Sequence, residues 1–194
     1  SMFTSPGHAN AIPGLALAHH MESPVINILG SAAQNRLGQG VSPQELDQIG
    51  MAKPVTKGAW FITDPYRIPE FFARAFRIAL TDRRGPVHLT IPVDVQAAEV
   101  DESRVRFDPP ETYRHTGQVM ADPGLIKEAI ALLQNAQRPM VVAGNSAFSV
   151  NREDLQRLVE VTHLPLFTEE GARGIVPDTH PNCFGFADGR VDAV

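Results

Sequence analysis

The amino-acid sequence predicts an α/β protein in which parallel sheets are flanked by helices. The first observation is that apolar segments of strand length alternate with amphipathic helical segments, and short turns with glycine or proline separate them. The second is that the strand segments are apolar without alternation, as in parallel strands covered on both faces. The third is a long polar span, residues 96–120, which divides the chain into two such regions.

The first region contains three predicted helices and three predicted strands. The helix after Asp64-Pro65 has the clearest pattern, because apolar residues recur every third or fourth position from Ile68 to Ala79. A second helix is expected to begin at Ser42-Pro43, which resembles an N-cap followed by proline at the first helical position. The remaining predicted elements are a helix at 7–22 and strands at 25–29, 55–62 and 87–91.

The second region reads as a right-handed βαβ unit. A helix begins after Asp122-Pro123, strands are expected at 140–143 and 164–168, and an amphipathic helix lies between them. Residues 169–194 predict no further element. The span 96–120 has two adjacent prolines and no periodicity, so it is interpreted as a linker between domains.

Composition argues against several classes of partner and location. The net charge of −5 gives no reason to expect nucleic acid or an anionic membrane as a partner. No apolar run approaches the ~20 residues that span a bilayer, and no secretion signal is visible. The single cysteine, Cys183, suits the reducing cytoplasm. His19-His20 are neighbours on a helix and make poor joint ligands, so no metal site is predicted.

Several segments, taken in order, carry a family resemblance. They are Ser5-Pro6-Gly7-His8-Ala9-Asn10, Gln44–Gln48 followed by Pro54–Lys57, Arg84–Val95, Ala136–Gly144, and His180-Pro181 followed by Gly185. Together they resemble the thiamine-diphosphate-dependent enzymes of the acetolactate-synthase-like family, which includes carboligases and lyases. The resemblance covers nearly the whole chain.

The resemblance implies a domain plan and an activity. Residues 1–95 would be the C-terminal part of a pyrimidine-binding domain, 96–120 a linker, and 121–194 the N-terminal part of a Rossmann-like central domain. The whole enzyme is expected to be a transferase or lyase that uses thiamine diphosphate and Mg²⁺. Its substrate would be a small 2-keto or 2-hydroxy acid or an acyl donor, and it would form a homodimer or tetramer.

The resemblance also implies four cofactor-binding residues: Pro6, Gly7, Asn10 and Gln44. Glycine lets backbone approach a ligand, and an asparagine amide satisfies ring heteroatoms. The alternatives are a tight turn that begins a helix and, for Gln44, a solvated residue in a first helical turn. No catalytic residue is predicted, because the family's activating glutamate and metal motif correspond to positions outside residues 1–194. The chain alone is therefore expected to be inactive.

Other residues leave alternatives open. His8 either assists catalysis or lies at an exposed helix start, and Lys57 lies either at the active-site rim or, as favoured, at a sheet edge. Gly144-Asn145-Ser146 follows a strand and would suit a flavin or CoA phosphate, but a single glycine is not a dinucleotide fingerprint and a plain turn is favoured. Two other function classes thus stay open: a non-catalytic module that binds FAD, CoA or a nucleotide, and a structural remnant without a ligand.

Overall fold

The structure is a computed structural model that describes residues 5–40, 42, 45–81, 83–114 and 120–186. The chain divides into two compact units, Ser1–Thr116 (unit 1) and Gly117–Val194 (unit 2). Each unit contains a three-stranded sheet whose strand pairs are all parallel, so the predicted α/β class is confirmed. The domain limits at residues 95 and 121 stay a prediction.

Unit 1 is built around a sheet whose central strand is fully buried. The strand order is β1-β3-β2, and all six residues of β3 are buried. The strands are β1 (Ile26–Ser31), β2 (Ala59–Phe61) and β3 (Val87–Pro92), and the main helices are α1 (Ser5–His20), α2 (Gln48–Ala52) and α3 (Ile68–Leu80).

The apolar face of α3 covers this sheet, as the sequence periodicity predicts. Ala75 and Ala79 are buried in one cluster with Val87 and Leu89 of β3. Lys57 lies at the end of α3, where its Nζ donates to the carbonyl oxygens of Ile78 at 2.5 Å and Thr81 at 2.8 Å. A cation there stabilises the negative end of the helix dipole, so Lys57 has a structural role that neither sequence alternative foresaw.

The first part of the predicted linker folds back on unit 1. The short helix α4 (Val93–Gln96) leads into this span, which contains a second short helix, α5 (Pro110–Tyr113). The Tyr113 ring lies 6.2 Å from that of Phe76 on α3, and the backbone N–H of Asp101 donates to the Tyr66 hydroxyl at 3.3 Å. Residues 115–119 lie outside the described part of the chain.

Unit 2 has the strand order β4-β5-β6. Its core gathers Val159, Leu166, Ile175 and Val176, each at most 1% exposed. The third strand was not predicted, because it is short, Gly185 has a φ of +78°, and its pairing with β5 shifts register. The strands are β4 (Val141–Ala143), β5 (Leu166–Thr168) and β6 (Cys183–Phe186), and the helices are α6 (Pro123–Asn135) and α7 (Arg152–Thr162).

Within the described residues, no helix has both the length and the apolar character that a bilayer crossing requires.

Candidate functional site

A cleft of about 170 Å³ lies at the carboxyl end of the unit 1 sheet. Ser31, the last residue of β1, and Phe61, the last residue of β2, form part of its wall. The remaining lining comes from the loop before α2 and from its first residues: Leu37, Glu45, Leu46, Asp47, Gln48 and Ile49. Ligands of open parallel sheets bind outside the carboxyl ends of the strands, so this cleft is the candidate site.

A carboxylate organises the loop in front of α2. Glu45 Oε2 accepts hydrogen bonds from the backbone N–H groups of Gly38 at 3.1 Å and Gly40 at 3.0 Å. Both glycines have positive φ, +82° and +67°, a conformation that side-chain-bearing residues rarely adopt. The other oxygen, Oε1, is buried and has no hydrogen-bond partner. Glu45 thus fixes the loop and presents one unused acceptor.

The helix that follows begins later than predicted. Asp47 is the N-cap of α2, since its Oδ1 accepts from the Gly50 backbone N–H at 2.7 Å. The prediction that this helix begins at Ser42-Pro43 is wrong, because Ser42, Glu45 and Leu46 are not helical. The Glu45 carboxylate closes the preceding loop, and Asp47 supplies the better cap.

Behind the cleft lies a network of polar side chains that are at most 3% exposed, apart from Asn27, which is half-buried. Asn27 Nδ2 lies 3.3 Å from His8 Nδ1 and 3.0 Å from His88 Nδ1. His8 Nε2 lies 3.0 Å from the backbone oxygen of Gln48, and His88 Nε2 lies 2.7 Å from Thr90 Oγ1. The Thr90 hydroxyl donates to Gln48 Oε1 at 2.8 Å, and Gln48 Nε2 donates to the backbone oxygen of Gly30 at 3.1 Å.

Both imidazoles in this network are held neutral. Burial lowers the pKa of His8, although its hydrogen bond to Gln48 opposes the shift. Burial, together with the neighbouring His8, lowers the pKa of His88 to about 3. The two rings stack with centroids 4.5 Å apart. His8 is therefore not at an exposed helix start, and protein partners occupy both of its ring nitrogens.

Three of the four predicted cofactor residues stand within two positions of His8 in α1. Pro6 and Asn10 are exposed and Gly7 is half-buried, all within the first two turns of α1, which already includes Ser5. None of the three lines the cleft. Gln44 lies outside the described residues, but its neighbour Glu45 is on the cleft wall. The roles of all four residues stay predictions.

Sequence reasoning missed most of the network. His88 and Thr90 stand two residues apart in an otherwise apolar strand, so they share a face, and that polar pair was the available signal. Nothing local marks Asn27 or Gln48, whose partners are up to 61 residues away.

The corresponding turn in unit 2 faces a carboxylate. A Cβ placed on Gly144 would meet Glu169 Oε2 at 3.2 Å, and Asn145 Oδ1 already accepts from the Gly171 backbone N–H at 3.0 Å. Arg173, the nearby cation, pairs with Asp178 at 3.3 Å. A phosphate would be repelled here by the carboxylate. Among the described residues, no group of three or more side chains could hold a metal ion.

Comparisons with known proteins agree with the sequence resemblance. Residues 126–192 match the family model for the thiamine pyrophosphate enzyme central domain. The chain is 35% identical over 187 residues to a probable acetolactate synthase large subunit of Methanocaldococcus jannaschii, covering 94% of this chain and 31% of that protein.

It is also similar to an oxalyl-CoA decarboxylase of Escherichia coli, at 33% identity over 181 residues, covering 92% of this chain and 32% of that protein. A 2-hydroxyacyl-CoA lyase of Arabidopsis thaliana is 33% identical over 181 residues, covering 91% and 32%. The chain spans about a third of the length of these relatives. Over nearly its whole length the chain is therefore similar to thiamine-diphosphate-dependent enzymes of the acetolactate-synthase-like family, and residues 126–192 match the central domain of such enzymes.

Proposed function

We propose that this chain forms part of a carboligase or lyase that makes or breaks the bond next to the carbonyl of a 2-keto or 2-hydroxy acid. The observation that carries the proposal is the cleft at the carboxyl end of the unit 1 sheet, whose wall includes the segment that follows Gln44. The relatives' names, a synthase, a decarboxylase and a lyase, support the same reaction range. When bound, thiamine diphosphate supplies the electron sink for such chemistry.

Two sets of residues in unit 1 are available to a cofactor, one at the start of α1 and one on the cleft wall. Gly7 and the exposed amide of Asn10 are accessible to a ligand at the start of α1. Glu45 lines the cleft with one buried oxygen that has no partner, and a donor group of a ligand would satisfy it. These residues would bind and orient the cofactor. The Mg²⁺ that the family resemblance implies finds no ligand set in the described residues, so its ligands would come from elsewhere.

The alternative of FAD, CoA or nucleotide binding in unit 2 has weaker support. The Gly144 turn lies beside the Glu169 carboxylate, and Asn145 is engaged with Gly171. Phosphate sites in βα turns rely on free backbone N–H groups and positive potential. The geometry thus favours the unit 1 cleft over this turn.

We also propose that the protein is cytoplasmic and forms a homo-oligomer, a dimer or a tetramer. A single cysteine suits a reducing compartment. Every residue of α6 is exposed, including Leu125, Ile130 and Leu132. A contiguous apolar surface of this kind is typical of a face that another protein surface covers.

Equilibrium binding of the chain to thiamine diphosphate with Mg²⁺, FAD, CoA and ADP tests the proposal. The affinity for thiamine diphosphate should be low but higher than that for the other three ligands. Asn10→Ala should lower it further. Asn35→Ala, at an exposed asparagine of the same unit that is not among the predicted cofactor residues, is the control. Preference for FAD or CoA would favour the alternative, and no binding of any of the four would favour a structural remnant.

The chain alone is proposed to lack turnover, since the family resemblance assigns the activating glutamate and the metal motif to other segments. An assay of pyruvate consumption with thiamine diphosphate and Mg²⁺ checks this directly. Turnover by the purified chain would refute it, as would strong, saturable thermal stabilisation by the cofactor.

A further inference from the structure

The hydrogen bonds behind the cleft admit one consistent assignment of protons. Asn27 Nδ2 carries two hydrogens and lies within hydrogen-bond distance of the Nδ1 atoms of both His8 and His88, so both atoms accept. Each ring therefore carries its single proton on Nε2. His8 then donates to the Gln48 backbone oxygen, and His88 donates to Thr90 Oγ1. Thr90 is left to donate to Gln48 Oε1, as observed.

The network therefore has two arms that start at Asn27 and meet at Gln48. The first arm runs through His8 to the main chain of Gln48, and the second runs through His88 and Thr90 to its side chain. Gln48 also connects the network to β1, because its Nε2 donates to the backbone oxygen of Gly30. Rotating the Asn27 amide by 180° would leave both Nδ1 acceptors facing an oxygen. The hydrogen bonds to His8 and His88 therefore form or break together.

Gln48 is the residue through which this network reaches the cleft. It is the first residue of α2, it lines the cleft, and it follows the capping residue Asp47, which also lines it. Thr90 and His88 are not among the lining residues. Their side chains reach the cleft wall through Gln48, the lining residue to which the Thr90 hydroxyl donates.

We propose that His88 and Thr90 are positioning residues, which hold Gln48 against β1 and thereby fix the cleft wall formed by the start of α2. The inference rests on the proposed function only for the identity of the cleft's ligand. Loss of the Thr90 hydroxyl removes its hydrogen bond to Gln48 Oε1 and takes the acceptor from His88 Nε2–H, and a buried donor is expensive to leave unpaired.

Thr90→Val tests the proposal, with Thr168→Val as a matched control. Like Thr90, Thr168 is a buried threonine in a central strand, but it lies in unit 2. Its hydroxyl donates to the backbone oxygen of Gly185. Amide hydrogen exchange of Met51 in α2 and of its C-cap residue Lys53 should accelerate about tenfold in Thr90→Val, because loss of the hydrogen bond to Gln48 makes local opening of the helix easier. Amides of α3, which packs on the same strand, should change much less.

Two further measurements separate positioning from general destabilisation. Thr90→Ser retains the hydroxyl and should restore slow exchange in α2. Thiamine diphosphate affinity should fall about tenfold in Thr90→Val and recover in Thr90→Ser. If the unaltered chain does not bind thiamine diphosphate, the proposed function fails while the exchange comparison still decides the positioning role. Unchanged α2 exchange in Thr90→Val, or equal acceleration in α3, would overturn the inference.

Discussion

The two units share a three-stranded parallel sheet but bury different chemistry in its central strand. In unit 1, the central strand β3 carries His88 and Thr90 into a buried polar network that reaches the cleft wall. In unit 2, the central strand β5 carries Leu166 and Phe167 into an apolar core, and the hydroxyl of its Thr168 donates to the backbone oxygen of Gly185 in the neighbouring strand. The same architecture thus serves a candidate site in one unit and a scaffold in the other.

The units also differ in how well their faces are covered. All of β3 is buried in unit 1, whereas Val142 in β4 of unit 2 is 46% exposed and α6 has no buried residue. The family model matches unit 2, residues 126–192, but the candidate cleft lies in unit 1. A family match can therefore identify a protein without locating its site.

Acidification should have the largest effect, and it should lower the stability of unit 1, which contains both buried imidazoles. The pKa of His88 is about 3 and that of His8 is lowered in the folded state, so the unfolded chain binds more protons below pH 6.5. The stability that the neutral pair contributes is fully present above pH 6.5. The His88 part is lost as pH falls toward 3, at up to about 1.4 kcal/mol per pH unit, and His8 adds to the loss below pH 6.5.

Urea unfolding at pH 7, 6 and 5 measures this loss through the fluorescence of Trp60, the chain's one tryptophan, which lies in unit 1. His88→Leu serves as a control, since it removes one of the two groups and should reduce the slope between pH 6.5 and 5. A stability of unit 1 that does not change between pH 7 and pH 5 would contradict the neutral buried pair.

Truncating one apolar side chain in each sheet should have very different effects. Leu89 in β3 is fully buried, so Leu89→Ala should lower the free energy of unfolding of unit 1 by about 2–5 kcal/mol. Val142→Ala, in the half-exposed strand of unit 2, should change stability by about 0.5 kcal/mol or less. Chemical denaturation of both variants checks the pair, and similar losses would mean that Val142 is covered in solution.

Removal of the N-cap side chain should have a smaller effect, of similar size in the two units. Asp47 caps α2, and Asp122 caps α6 by accepting from the backbone N–H groups of Gly124 and Leu125. Each change to alanine should cost about 1 kcal/mol of local helix stability. Amide exchange in each helix measures the loss, and only Asp47→Ala should also weaken ligand binding in the cleft. An equal effect of Asp122→Ala on binding would contradict the assignment of the site to unit 1.

The smallest effect on stability is expected on the exposed face of α6. Leu132 is 74% exposed, so Leu132→Lys should change the free energy of unfolding by about 0.5 kcal/mol or less. It should nevertheless reduce self-association measured by light scattering, because it places a charge on the apolar surface. Gln134→Lys adds the same charge on the same helix outside that surface and is the control; equal effects of both would point to net charge alone.

The sequence predicted the fold well where periodicity is strong. The α3 stripe and the buried β3 strand are local patterns, and each was placed within a few residues of its observed limits. The start of α2 was misplaced because its cap competes with a loop that Glu45 closes through Gly38 and Gly40, a contact no local rule encodes. β6 was missed because a short strand with a glycine in the left-handed region lacks a period-two signal.

The candidate site could be predicted only in part. The family resemblance indicated Pro6, Gly7, Asn10 and Gln44, but a linear motif does not show which distant side chains support it. His8 was noticed, yet its burial and its pairing with Gln48 depend on the packing of α1 against the start of α2. Networks of this kind arise from tertiary contacts between residues tens of positions apart, so they become visible only once the fold is known.

The central claim, that unit 1 holds the ligand cleft and unit 2 is scaffold, is tested most directly by mapping amide chemical shifts of the isotope-labelled chain during titration with thiamine diphosphate and Mg²⁺. The account predicts concentration-dependent shifts confined to unit 1, at residues 7–10 and 44–50. Shifts centred on residues 144–146 and 169–171 of unit 2 would contradict it.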